Sequence, residues 1–324
     1  MLPSEVIKKF ENQGEMLANR VKKRFKHIAK RYQNQNLDVY RLYDWDVPEI
    51  RAVVDWYAGH LVIGEYTRRQ SVPEWLPMMG AAVAEAMGVS AEMVHLKERR
   101  AGKQGGKRYE RLDHTDQKIV VSERDLKFLV NPSDYVDTGL FSDHRNTRQM
   151  IRGMAAGKDF LNLYCYTAAF SCYAAKGGAR STLSVDRSET AVRWARENMN
   201  LNGIPEENNQ LVQAHTFDFL KKVRRLPQRF DLAVVDPPSY STTRVRNDEF
   251  DVTWDHPRLL AETLEIMRPG GIVFFSTNHQ NFELQSGQLR AAEIKEITGS
   301  TIPEDYMRKR QSIHRCWRIR VGTS

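Results

Sequence analysis

Hydrophobic and polar positions follow two rhythms along the chain, changing near residue 132. In the first, Val6, Phe10, Leu17, Val21, Phe25, Ile28 and Ala29 recur at helical spacing among basic residues. A stripe of that period predicts one or two basic amphipathic helices over residues 5–34. Between Asp38 and Tyr66 the apolar residues come in short clusters, Val39-Tyr40, Leu42-Tyr43, Val53-Val54, Trp56-Tyr57 and Leu61-Val62-Ile63, with a break at Pro48. These are the short strands of a small sheet. Residues 73–88 predict a helix closed by Gly88, and the Gly-rich basic segment 101–108 predicts a loop between two further strands. The expected organisation is a basic helical segment over 1–35 and an α+β accessory domain over 36–132.

From 133 to 324 the rhythm becomes strand, loop, helix, with strands expected at Asp159–Tyr164, Ser181–Val185, Gln210–Ala214, Asp231–Val235 and Gly271–Ser276. That alternation predicts an α/β, Rossmann-like domain built on a doubly wound parallel sheet. The run Phe230 to Val235 is apolar enough for a strand covered on both faces. It ends in Asp236-Pro237-Pro238-Ser239-Tyr240. Two prolines cannot continue the ladder, so the chain leaves the sheet at Asp236, on the carboxyl edge where open α/β sheets bind ligands.

At 324 residues the chain can hold one sizeable core and a smaller unit. Three cysteines, Cys165, Cys172 and Cys316, are too few and too scattered for a disulfide framework or a zinc cluster; no metal site is expected. No run is long and apolar enough to span a bilayer, and residues 1–30 lack the apolar core of a signal peptide, so a cytoplasmic protein without a membrane partner is expected. The formal net charge of +8 changes the picture. It is gathered in three clusters: Arg20, Lys22, Lys23, Arg24, Lys26, Lys30 and Arg31; Lys97, Arg99, Arg100, Lys103, Lys107, Arg108 and Arg111; and Arg308, Lys309, Arg310, Arg315, Arg318 and Arg320. One such cluster is usually a solvated face, but three in one chain favour a nucleic-acid partner.

Asp-Pro-Pro-Ser followed by Tyr240 looks like the catalytic loop of class I S-adenosylmethionine (SAM) methyltransferases that act on bases. Such a resemblance implies that Asp236, Pro237 and Pro238 hold the base edge while Tyr240 stacks the splayed ring. A rigid strand exit, with Tyr240 serving loop packing, is the plainer alternative. The cofactor would meet the first strand-to-helix turn, Asn162-Leu163-Tyr164-Cys165-Tyr166-Thr167, where Ala168 and Ala169 stand in place of the usual glycines. About twenty residues on, Asp186 ends a strand at the spacing of an acid that accepts from ribose hydroxyls, followed by Arg187 and Ser188; helix capping is its other reading. The third strand leads to His215-Thr216, where an acid beside the adenine is more usual; either the His215 imidazole or an adjacent backbone group takes that contact, or Asp218 moves in.

The segment Tyr135-Val136-Asp137-Thr138-Gly139-Leu140-Phe141-Ser142-Asp143-His144-Arg145 extends the pattern. With Asp159–Tyr164, Gly177-Gly178-Ala179-Arg180-Ser181, Val185-Asp186, Asp236–Ser239 and Arg310-Gln311-Ser312-Ile313-His314-Arg315-Cys316-Trp317, the chain resembles, nearly end to end, the guanine-N7 methyltransferase half of the bifunctional bacterial 23S rRNA methyltransferases. This likeness implies SAM as donor, a guanine of large-subunit rRNA as substrate, and an RNA-engaging accessory domain that helps open a helix. It implies that Asp143 and Arg145 sit over the methionine end of the cofactor, with a structural ion pair as the alternative for Arg145. It covers one half of a bifunctional enzyme, so one of the two activities is expected.

Guanine N7 carries an in-plane lone pair and no proton, so displacement at the sulfonium methyl needs alignment rather than a general base. Cytosine-C5 methylation needs a cysteine nucleophile; related enzymes place it where this chain has Ser276-Thr277-Asn278, leaving only Cys316. Methylation of guanine N2 is not separated from N7 by the Asp236 loop alone. An RNA-binding module with a relict cofactor fold is the non-enzymatic alternative.

Overall fold

A computed structural model describes residues 2–99, 111–241, 249–308 and 311–322. The basic residues Arg100, Lys103, Lys107, Arg108, Lys309 and Arg310 and the expected loop over 101–108 lie outside these. The chain divides into two compact units, Met1–Ser142 and Asp143–Ser324; the first runs past residue 132.

In the first unit α1 (Ser4–Asn34) is one continuous helix whose buried residues Phe10, Gln13, Leu17, Val21, Ile28 and Tyr32 follow the helical period. The strands β1 (Val39–Asp44), β2 (Ala52–Tyr57) and β3 (His60–Tyr66) pair antiparallel. Ala58 and Gly59 both take positive φ between β2 and β3, as a two-residue hairpin whose turn matches the strand twist requires. Helix α2 (Trp75–Met87) closes on Gly88 in the left-handed conformation and packs on α1, where Trp75 Nε1 donates to Gln13 Oε1 at 2.8 Å. Strand β4 (Val94–Arg99) joins parallel to β3, and β5 (Ile119–Glu123) and β6 (Leu126–Val130) form a separate hairpin.

The second basic cluster changes meaning here. Lys97 is 1% exposed, and its ammonium donates to the carbonyls of Tyr135 and Val136; burial pushes its pKa down to about 7. It belongs to the interior, not to a phosphate-binding face. By contrast Lys22, Lys23, Lys26 and Lys30 on α1 are exposed.

The second unit holds α3 (Arg145–Met154), β7 (Asp159–Leu163), α4 (Ala169–Lys176), β8 (Ser181–Asp186), α5 (Glu189–Leu201), β9 (Asn209–Gln213), α6 (Thr216–Arg224), β10 (Phe230–Val235), the short pair β11 (Tyr240–Ser241) and β12 (Phe250–Asp251), α7 (Val252–Leu264), β13 (Met267–Thr277), β14 (Ala291–Glu296), α8 (Thr298–Thr301) and β15 (Arg315–Val321). The sheet order is β14-β15-β13-β10-β7-β8-β9. The strands from β13 to β9 are parallel, and β15 and β14 are antiparallel. All five strands expected after residue 133 are present, and the doubly wound Rossmann-like sheet is the one the sequence predicts. Strand order reverses between β7 and β10, so the crevice for a ligand opens where those two strands end. Both are almost wholly buried; residues such as Leu161, Leu163, Ala233 and Val235 belong to the main hydrophobic core.

The three arginines of the third basic cluster that lie on β15 meet acids within this sheet. On β14, Glu296 pairs with Arg315 at 2.7 Å, and Glu293 lies 3.6 Å from Arg318 and 3.4 Å from Arg320. Antiparallel pairing sets Glu293 directly opposite Arg320 and Glu296 opposite Trp317, diagonal to Arg315, which the linear sequence does not display.

Candidate active site

At the end of β10 the chain turns out of the sheet at Asp236, whose Oδ1 accepts from Ser276 Oγ of the neighbouring β13 at 2.5 Å. Pro237 is buried and Pro238 half-buried; they make the exit rigid. The loop is then fastened twice to the residues after β13: Ser239 Oγ donates to Asn278 Oδ1 at 2.6 Å, and the Tyr240 hydroxyl is 2.9 Å from His279 Nε2. The Tyr240 ring meets His279 edge-on at 5.7 Å and remains half-buried. Tyr240 therefore has a fixed hydroxyl, and loop packing and base stacking are both compatible with it.

The second carboxylate oxygen of Asp236 faces His144, whose Nε2 lies 3.6 Å from it. The His144 ring stacks on His314 at 4.2 Å, 10° from parallel. His314 Nδ1 is 2.9 Å from Asp143 Oδ2, and His314 Nε2 is 3.0 Å from Thr301 Oγ1. Burial, then the neighbouring His314, lowers the His144 pKa, which keeps that imidazole neutral. Asp143, His144 and His314 present ligand-type atoms within 4.8 Å of one another. However, an imidazole binds a metal in its own plane, and two stacked rings share no such point, so the arrangement reads as a hydrogen-bonded brace beside Asp236.

Arg145 answers to a different partner. Its guanidinium is buried on Asp305, with the Tyr306 ring 6.0 Å away. The structure thus displays the ion pair that was the alternative for this residue: a buried acid already balances the charge expected to meet the cofactor's carboxylate.

The cofactor elements converge at the ends of β7, β8 and β9. After β7 the backbone takes positive φ at Tyr164 (58°), Tyr166 (49°) and Ala168 (59°). Non-glycine residues rarely accept that region, and such conformations persist where the surroundings impose them. Ala168 therefore performs the turn for which glycine was expected. The Tyr166 amide donates to Asp186 Oδ2 and the Ser188 amide to Asp186 Oδ1, both at 2.9 Å. Ser188 caps α5, its Oγ accepting from Ala191 N at 3.2 Å. Tyr164 bonds through its hydroxyl to Thr216, which starts α6, and packs 5.9 Å from the Phe250 ring. His215 is half-buried at the N-cap of α6 without a side-chain capping bond, 5.9 Å from Phe217. Thr167 is buried, and its carbonyl accepts from Asn198 Nδ2 at 3.0 Å. Arg187 is exposed beside Asp186.

One expected contact lies elsewhere. Asn162 is fully buried in β7 and donates to Ser171 Oγ at 2.9 Å, which in turn is 2.7 Å from Ser184 Oγ. Its side chain joins α4 to β8 inside the domain rather than facing the crevice.

Asp186 suits the ribose of a nucleoside cofactor. A carboxylate offers about four lone-pair directions, and the amides of Tyr166, Arg187 and Ser188 occupy most of them while leaving capacity for a hydroxyl donor. Burial raises its pKa, so the carboxylate is short of solvation that hydroxyl donors would supply.

The wound sheet, the constrained turn after β7 and the acid ending β8 define a class I SAM-dependent methyltransferase. A family model described as S-adenosylmethionine-dependent methyltransferase matches residues 54–283. The ribosomal RNA large subunit methyltransferase K of Neisseria meningitidis is 38% identical over 308 residues, covering 94% of this chain and 86% of that one. The ribosomal RNA large subunit methyltransferase K/L of Pseudomonas aeruginosa is 40% identical over 326 residues, covering 98% of this chain and 44% of that one. The chain belongs to this family of K and K/L methyltransferases and uses SAM. It spans less than half the length of the K/L relatives it matches. A methyltransferase solved in complex with SAH shares the fold, at 24% identity and a TM-score of 0.73, covering 94% of this chain and 82% of that one. Among the described residues no helix is long and apolar enough to cross a membrane.

His144, His314, Ser276 and His279 escaped the sequence reading as site residues. Two of them stand in motifs that were visible, beside Asp143 and before Arg315, but nothing local distinguishes them from buried structural histidines.

Proposed function

We propose that this chain transfers the methyl group of SAM to N7 of a guanine in large-subunit ribosomal RNA, by direct displacement without a covalent intermediate. The relatives named for large-subunit RNA support the substrate class, and the exposed lysines of α1 support an RNA partner. The observation that carries the chemistry is the state of the thiols. Cys165, Cys172 and Cys316 are all buried, and burial, reinforced by the nearby Asp236 carboxylate, pushes the Cys316 thiol far up. A protonated, inaccessible thiol cannot open a cytosine ring at C6. At N7 no proton has to leave before attack. Asp143, Asp186, Thr216 and the Tyr164–Thr167 turn would hold the cofactor, while Asp236, Pro237, Pro238 and Tyr240 would hold the base.

Guanine N2 is the second reading, favoured by the neutral His144 imidazole beside Asp236, which could take up the proton an exocyclic amine releases. Labelled SAM with rRNA lacking the modification, followed by nucleoside mass spectrometry, tests both. Label in 7-methylguanine is expected; label in N2-methylguanine or 5-methylcytosine would replace the N7 reading, and no label would favour an RNA-binding role.

A further inference from the structure

The Asp236 loop is gripped along one strip of the chain, the residues with which β13 ends. Ser276 Oγ donates to Asp236 Oδ1 at 2.5 Å, Asn278 Oδ1 accepts from Ser239 Oγ at 2.6 Å, and His279 Nε2 meets the Tyr240 hydroxyl at 2.9 Å. We propose that His279 is a positioning residue for base methylation, one that sets the Tyr240 ring in its base-receiving orientation before RNA arrives. This inference rests on the reading of Tyr240 as the stacking residue and adds what holds that ring in place.

Register is the first argument. Strands β10 and β13 run parallel, and their last paired residues are Val235 and Phe275, so Asp236 and Ser276 leave the ladder side by side. Pro237 and Pro238 have no N–H with which to continue it. Side-chain bonds take over at Ser239 and Tyr240, and their partners Asn278 and His279 follow in the same order. The backbone of the same two residues is held by a different segment: the Ser239 carbonyl accepts from Val252 N at 3.1 Å, and Tyr240 pairs with Asp251. What His279 adds is the direction of a side chain.

Geometry is the second argument. The bond reaches Tyr240 at its hydroxyl, and the two rings stand 73° apart with centroids 5.7 Å from each other. The imidazole therefore does not lie flat on a face of the phenol, the surface a base would stack on. A ring left to rotate has to be ordered when a base arrives, and that ordering weakens binding; a ring fixed by its hydroxyl is ordered in the folded protein already. The third argument is the bond's direction. His279 Nδ1 is shielded from water with no hydrogen-bond partner. A buried N–H without an acceptor is rarer than an acceptor left bare, so the imidazole hydrogen belongs on Nε2, which donates to the Tyr240 oxygen. A replacement for His279 has to supply a donor at that point.

Substitutions at both ends of the bond test this, with unmethylated large-subunit rRNA and labelled SAM. His279→Ala and Tyr240→Phe each remove the bond and should raise KM for RNA about fivefold, with SAM affinity by calorimetry unchanged. His279→Gln carries an amide donor to the Nε2 position and should stay within about twofold of the unsubstituted protein. The double variant His279→Ala with Tyr240→Phe should be no worse than either single variant, because both changes break one bond. Effects that multiply in the double variant, an unchanged KM in Tyr240→Phe, or a His279→Gln variant as impaired as His279→Ala overturns the proposal. If His279→Ala does not fold, Tyr240→Phe decides alone: a raised KM supports the proposal and an unchanged one overturns it. Tyr240→Ala tests the reading beneath it, and should be roughly tenfold worse than Tyr240→Phe because the stacking surface goes too. Equal values for those two variants overturn Tyr240 as the stacking residue. Label at a base position other than guanine N7 overturns the N7 reading alone, and no label from the unsubstituted protein overturns both.

Discussion

Ser276 and Asp236, forty residues apart, meet at 2.5 Å across the parallel strands β13 and β10. The hydroxyl occupies one oxygen of the carboxylate and leaves the other toward His144. Asp236 is thus oriented before substrate arrives, which suits the base-holding role proposed for it. Asp236→Ala should abolish methyl transfer while SAM affinity by calorimetry stays within a few-fold. Ser276→Ala should lower kcat about tenfold or more, since hydrogen bonds to charged groups contribute about 1.5–3 kcal/mol. Equal loss of SAM binding in Asp236→Ala and Asp186→Ala would sink this division of roles.

Asp186 should give SAM binding a pH dependence. Its pKa is raised by burial, and the carboxylate is the form that accepts from hydroxyl donors. Affinity is then full above the raised pKa and declines as pH falls through it. Asp186→Asn should weaken binding and flatten the profile, checked by calorimetry across pH; a profile unchanged by the substitution would remove Asp186 from the ribose contact.

Cys316 offers a direct check on the absence of a covalent intermediate. It is fully buried with its thiol held protonated. Cys316→Ala should retain most methyl transfer, with a stability cost near that of losing a small buried group, about 1 kcal/mol. Abolished turnover in a folded variant would return the thiol to the mechanism.

Arg145 and Asp305, 160 positions apart, form a buried pair. Removing one partner of such a pair typically costs about 3–5 kcal/mol because the other charge is stranded. Arg145→Ala should therefore lower the thermal midpoint sharply, and Arg145→Met with Asp305→Leu should recover much of it. If Arg145→Ala melts normally but loses SAM affinity, the arginine serves the cofactor after all.

The exposed face of α1 should carry part of the RNA affinity. Replacing Lys22, Lys26 and Lys30 by glutamine should weaken RNA binding similarly across sequences. It should also reduce the slope of log K against log salt by about 2 if all three neutralise phosphates. Filter binding over a salt series reads this, and an unchanged slope would clear α1 of phosphate contact.

The sequence by itself determined the elements and the ends at which chemistry gathers. The run Phe230–Val235 and its arrest at Pro237-Pro238 made β10 and its exit legible, because burial on both faces and the missing proline N–H are properties of consecutive residues. The spacing from the Tyr164–Thr167 turn to Asp186 was legible for the same reason: a βαβ unit has nearly fixed length. Lys97 was not, since its position among basic neighbours suggests exposure, whereas β4 packing buries it on two carbonyls. Nor were Glu293 and Glu296 as partners of the β15 arginines, which depend on the register of an antiparallel pair. Only the tertiary structure could give Arg145 to Asp305, stack His144 on His314 and bring Ser276 to Asp236. Periodicity and spacing act within one element, while these contacts are set by how separate elements close around a shared core, and that distance is not written in any local pattern.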